Sequence, residues 1–208
     1  MEYLPEFLTV ALVHLLAVIS PGPDFAFVTR QSLSYSRPTA VYSALGVGLG
    51  ILVHVTYSMV GIGWLISQSI LLFTALRWLG AAYLIWIGWQ ALRAQPHNLN
   101  TRSGSRPQDL SPARAIWLGF LTNALNPKAT LFFLALFTQV IRPTTPLFIQ
   151  GLYGVEMSLA TFAWFACLAV LLTHRAIQTR IARVQHWAER VMGAVLIALG
   201  LKIALSRE

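Results

Sequence analysis

The sequence predicts an all-α integral membrane protein: six transmembrane helices as two inverted three-helix repeats, with helices 1 and 4 broken near the midplane. Three observations predict it. First, 56% of the residues are hydrophobic and only 11% charged, with a mean hydropathy of +0.64. A water-soluble domain carries roughly 25% charged residues, so this chain has too little polar surface to cover itself. Second, the apolar residues fall into six stretches, each near the roughly 20 residues a helix needs to cross the hydrocarbon layer. Third, the first and fourth stretches are interrupted by proline at matching depth.

The spans read as 5–35, 39–64, 74–94, 112–141, 146–173 and 187–206. The first has an acidic flank (Glu2, Glu6) and no Lys or Arg before Arg30. A cleaved signal needs a basic n-region, so Leu4 onward is read as a retained span. Its interruption is "SPGPD", where Pro21, Gly22 and Pro23 should unwind about one turn, because proline lacks an N–H and clashes with the preceding turn. Unsatisfied backbone groups in lipid cost several kcal/mol each, so the break must face protein or a polar cavity. A new half-helix is expected near Asp24, and Pro127 should create a second at about 128–130. The free N–H groups at such ends attract anions.

The second span contains "GVGLG", Gly46 to Gly50. It lacks the GxGxxG spacing and a preceding strand, so it is no dinucleotide site. Gly46 and Gly50 instead suit close helix packing. The third and sixth spans match each other weakly. "RWLGAAYLIWIGWQALR" starts at Arg77 and "RVMGAVLIALGLKIALSR" at Arg190, each with a glycine three residues on and another eight or seven later. The chain therefore divides into a first repeat, 1–94, a polar linker, 95–113, and a second repeat, 114–208. An odd number of spans per repeat turns the second copy upside down. Inverted repeats with broken helices point to a secondary transporter.

Charge sets the orientation. The formal net charge is +8, but the basic residues lie between apolar stretches rather than on one amphipathic stripe, which argues against nucleic acid. Connections 30–38, 93–114 and 174–190 hold ten arginines, against Arg77, Arg142, Lys202 and Arg207 on the other side. This places the three connections in the cytoplasm and both termini outside. Cys167 is the only cysteine, which removes disulfide frameworks and CxxC carriers. The histidines lack metal-ligand spacing. No Walker A motif is present, no cofactor is expected, and Ser20, His14 and Asp24 show no spacing known for an enzyme's nucleophile and base.

Charged residues inside spans are Asp24, Lys128 and Glu156, and such residues default to a functional reading. The substrate-binding candidates are Ser20, Pro21, Gly22, Pro23, Asp24, Asn123, Asn126, Pro127, Lys128 and Glu156. Asp24 is either a helix N-cap or also a substrate or proton site. Lys128 either pairs and snorkels or meets the substrate. Glu156 has no local capping role and is expected to hold an ammonium or a proton. Asn123 and Asn126 both donate and accept, and at least one should satisfy the broken backbone. His14 and His54 read as neutral histidines hydrogen-bonded between helices rather than as a proton relay. Asp24 and Glu156 are the proton-coupling candidates, because a buried acid can hold a proton or an ammonium but not both.

"SPGPD" at Ser20–Asp24 and "GFLTNALNPKA" at Gly119–Ala129 resemble the first- and fourth-helix signatures of the LysE/RhtB family of amino-acid exporters. Chain size, six-span hydropathy and the polar middle loop are similar as well. One departure is Thr138 in "FFLALFTQV", where many members have a proline. The resemblance implies proton-driven export of a small amino acid, of threonine or homoserine type, across the bacterial inner membrane. The alternative is a channel-like or uniport pathway for small zwitterions or other small metabolites, which would need no titrating acid. Gly-rich apolar faces would allow a homodimer.

Overall fold

A computed structural model describes residues 3–20, 22–68 and 108–172, without the side chains of 62–68, plus isolated positions within 74–93 and 190–201. The expected third and sixth spans lie largely outside the described residues, and Pro21 lies outside them. Among the described residues the chain forms six helices and no strand: α1 (Leu4–Ile19), α2 (Pro23–Ser34), α3 (Arg37–Gln68), α4 (Pro112–Ala124), α5 (Pro127–Gln139) and α6 (Leu147–Leu171).

The two interrupted stretches are bent helix pairs, α1 to α2 by 55° and α4 to α5 by 58°. Each break has the same local cause. Ser20 precedes Pro21 and Asn126 precedes Pro127, and both are extended, at φ −63°, ψ 126° and φ −77°, ψ 110°. A residue before proline is pushed out of the helical region, while proline itself suits the first position of the next helix. The α3 segment Arg37–Gly61 and α6 are 25 residues each, with mean hydropathy 1.6 and 1.7, and are long and apolar enough to cross alone. Counting each bent pair as one, up to four spans lie among the described residues. α4 begins at Pro112, capped by Ser111, two residues inside the segment read as linker.

α3 is the central element and packs chiefly against α4 and α6. Its glycines make this close approach. A Cβ on Gly46 would run into the Ile116 carbonyl oxygen of α4, and one on Gly119 of α4 would run into the Ser43 carbonyl oxygen of α3. One on Gly50 would lie 2.7 Å from Asn123 Cβ. Gly48 faces α6 instead, where Ser158 Oγ donates to its carbonyl oxygen at 2.8 Å. In lipid, where apolar surface gives no net drive for association, such backbone proximity supplies the packing energy.

Two apolar clusters stack along α6. Tyr153 and Met157 join Val10, Phe132 and Phe133 in one, while Phe165, Leu168 and Ala169 join Phe25, Val28 and Val47 in the other. The first break separates them along the chain, with Val10 and Val13 of α1 in the one and Phe25 and Val28 of α2 in the other.

At the far end of α1 a buried carboxylate clasps the loop before α6. Glu6 Oε2 accepts from Arg142 Nε at 2.8 Å and from Arg142 N at 3.2 Å, and Oε1 accepts from Thr145 Oγ1 at 2.8 Å. The Glu6 side chain is 4% exposed and that of Arg142 52%. Glu6→Ala should lower the thermal midpoint in detergent by roughly 5 °C. Arg142 can rehydrate, so the loss is about 1–3 kcal/mol rather than that of a fully buried pair. An unmoved midpoint would show that the clasp adds nothing to stability.

Candidate functional site

The two breaks meet. Asn126 is the N-cap of α5, its Oδ1 accepting from Lys128 N at 3.0 Å. This is the expected use of an asparagine to satisfy a severed backbone. Its Nδ2 is left over, and it donates to Asp24 Oδ2 at 2.9 Å. Asn123, in the last turn of α4, donates its own Nδ2 to the same oxygen at 3.0 Å. In return, Lys128 Nζ donates to Ser20 Oγ at 2.9 Å and to the Ser20 carbonyl oxygen at 3.3 Å. A cation there suits the negative end of α1.

Asp24 is not the N-cap of α2. That position is Gly22, whose backbone is extended, and no side chain caps the helix. Its first N–H groups, from Asp24 and Phe25, therefore lack intrahelical acceptors. Glycine at 22 also leaves room for the lysine, since a Cβ there would lie 3.1 Å from Lys128 Cδ and 3.2 Å from Nζ.

Ser20, Gly22, Asp24, Asn123, Asn126 and Lys128 line one end of a cavity of about 60 Å³. One water needs roughly 10–15 Å³, so the site has room for a ligand of several heavy atoms. His14, Ile51, Phe132, Phe133, Thr161 and Phe165 are among the residues that line the rest. Asp24, which lines it, keeps a buried acceptor oxygen, Oδ1, with no hydrogen-bond partner among the described residues, whereas Asn123 Oδ1, also without one, lies against Gly50 of α3. His54 stands behind the polar end. Its Nε2 pairs with the Asn123 carbonyl oxygen at 2.9 Å and its Nδ1 with Tyr57 Oη at 2.8 Å. It stacks on Phe133, with ring centroids 5.5 Å apart. This holds the α4 end in place and fits a histidine bonded between helices.

Not every sequence candidate reaches the cavity. Pro23 and Pro127 are exposed first residues of their helices and set the breaks without lining the site. Glu156 is half-buried on α6 and is not among the lining residues. It precedes Thr161, which does line the site, by five residues, or about 140° around the helix. Its buried Oε2 has no hydrogen-bond partner among the described residues. Thr161, Ile51, Phe132 and Phe133 escaped sequence reasoning, because nothing local marks which face of an apolar helix turns toward a cavity. Among the described residues, no group of three His, Cys, Asp or Glu could hold a metal.

The profile of the family described as LysE type translocator matches residues 15–207. The chain belongs to the LysE family. This LysE-family translocator is a multi-pass membrane protein and not an enzyme. It is 31% identical to the threonine efflux protein of Salmonella typhimurium over 203 residues, covering 97% of this chain and 98% of the relative. It is 30% identical to the threonine efflux protein of Escherichia coli K12, over the same shares of each chain. To the homoserine/homoserine lactone efflux protein of Salmonella typhimurium it is 34% identical over 163 residues, 76% of this chain and 77% of the relative. No solved structure matches the LysE-family chain.

Proposed function

We propose that this translocator exports a small amino acid of the threonine or homoserine type from the cytoplasm by proton antiport. The observation that carries the reading is the pairing of opposite chemistries in one small cavity. Asp24 Oδ1 is a buried carboxylate oxygen without a partner among the described residues, and it suits an ammonium. Lys128 and the uncapped start of α2 lie beside it and suit a carboxylate. A zwitterion satisfies both at once. The names of the relatives, threonine efflux and homoserine efflux, support the same class.

Asp24 can hold the substrate ammonium or a proton, and that exclusion couples inward proton to outward amino acid. Glu156, off the cavity lining, is assigned to the proton path. The two repeats, 1–94 and 114–208, would rock about the cavity, with linker 95–113 and the arginine-rich connections facing the cytoplasm of a bacterial inner membrane and both termini outside. Two bent helix pairs, one in each half, support this arrangement.

The test is counterflow of radiolabelled amino acids in reconstituted vesicles, with and without a pH gradient. Saturable uptake of threonine or homoserine, driven uphill by the gradient, is expected. Flux that neither saturates nor responds to the gradient would assign the protein to the channel-like class instead.

A further inference from the structure

We infer that His14 and Thr161 are the specificity-determining pair of the cavity and recognise a hydroxyl on the substrate side chain. The inference rests on the transport reading above and adds the feature of the substrate that is read.

Both residues line the cavity, His14 from α1 and Thr161 from α6, and each is 1% exposed. They are joined at 3.2 Å between His14 Nε2 and Thr161 Oγ1. That contact uses one ring nitrogen. The other, Nδ1, is buried and has no hydrogen-bond partner among the described residues. The imidazole packs against the touching rings of Phe132 and Phe133, with centroids 6.2 and 6.1 Å away. Apart from these two residues, the described lining remote from Asp24 is apolar. A buried polar atom left unpaired costs about 1–3 kcal/mol, so an orphan in such surroundings calls for a ligand atom. A hydroxyl both donates and accepts, so it satisfies Nδ1 in either tautomer.

The placement suits one small molecule bound at both ends. His14 precedes Ser20, the partner of Lys128, by six residues, about 9 Å along the axis of α1. A hydrogen bond of about 2.8 Å at each end leaves room for the short carbon body of a small amino acid. The energetic consequence is large. An apolar pocket tells a methyl group from a hydroxyl by only about 100-fold, whereas a site built to bond the hydroxyl rejects the analogue lacking it far more strongly.

The test compares threonine with valine, its methyl-for-hydroxyl analogue, in vesicle counterflow for the wild type, His14→Leu and Thr161→Val. The wild type is expected to prefer threonine by more than about 100-fold in kcat/KM. Both variants should lower that ratio at least about tenfold, through lost threonine flux with valine flux retained, which a merely structural defect would not do. Thr161→Val conserves shape, so it decides the matter if His14→Leu does not fold. A wild-type ratio at or below about 100, or an unchanged ratio in Thr161→Val, overturns the inference while leaving transport in place. Absence of counterflow for every amino acid overturns the transport reading and this inference with it.

Discussion

Asp24→Asn will lower gradient-driven amino-acid efflux by roughly 10- to 100-fold and leave the residue insensitive to the pH gradient. Asparagine is nearly isosteric, and its oxygen can still accept from Asn123 and Asn126, which now meet Asp24 Oδ2 at 3.0 and 2.9 Å. The fold should therefore stand. The second oxygen is the one that changes, from a charged acceptor to an NH₂ donor facing the substrate ammonium. A hydrogen bond to a charged group is worth about 1.5–3 kcal/mol, and 1.4 kcal/mol is tenfold. An amide also takes up no proton, so the variant loses the exchange on which the proposed antiport depends. Efflux of labelled threonine from preloaded vesicles, measured with and without the gradient beside a thermal midpoint, gives the answer. Undiminished, gradient-sensitive efflux would remove Asp24 from both roles.

The other large effect lies away from the cavity. Gly46→Ala should lower the thermal midpoint by about 5–10 °C, and Gly46→Val should yield no folded protein. The added Cβ meets backbone, the Ile116 carbonyl and Phe120 N, the latter within 2.8 Å, and backbone cannot step aside as a side-chain tip can. Overpacking of this kind costs about 1–3 kcal/mol for one methyl when the helices can part, and more for a branched side chain. Gly61 and Gly151 are the controls. A Cβ at either meets nothing within 4 Å, so alanine there should be neutral or stabilising by its higher helix propensity. Equal midpoints for Gly46→Ala and Gly61→Ala would refute the close α3–α4 approach.

The breaks were legible in the sequence because proline acts locally. Its missing N–H and the extended residue before it need no tertiary information, and Ser20 and Asn126 obey that rule. That Asn123 or Asn126 should satisfy the second break was legible for the same reason, and Asn126 is the one that does. The meeting of the breaks was not, since Asp24 and Asn126 stand 102 residues apart and no local pattern pairs them. Glu6 reads in the sequence as an acidic flank, and its clasp depends on Arg142, 136 residues away. Glu156 shows the reverse difficulty. A charge inside an apolar span is easy to notice, but the sequence does not say which way the helix is turned, and the cavity took Thr161 from α6 instead. His14 and His54 read alike in the sequence, as histidines hydrogen-bonded between helices, and what separates them is tertiary: His14 lines the cavity with one nitrogen unpartnered among the described residues, whereas His54 has both nitrogens bonded.

The bonds from Lys128 to Ser20 and from Asn123 and Asn126 to Asp24 also stitch the two sequence halves together at their breaks. Cargo that draws Lys128 or Asp24 toward itself competes with those stitches. In the proposed transport cycle, loading and loosening then become one event, written in the same handful of atoms.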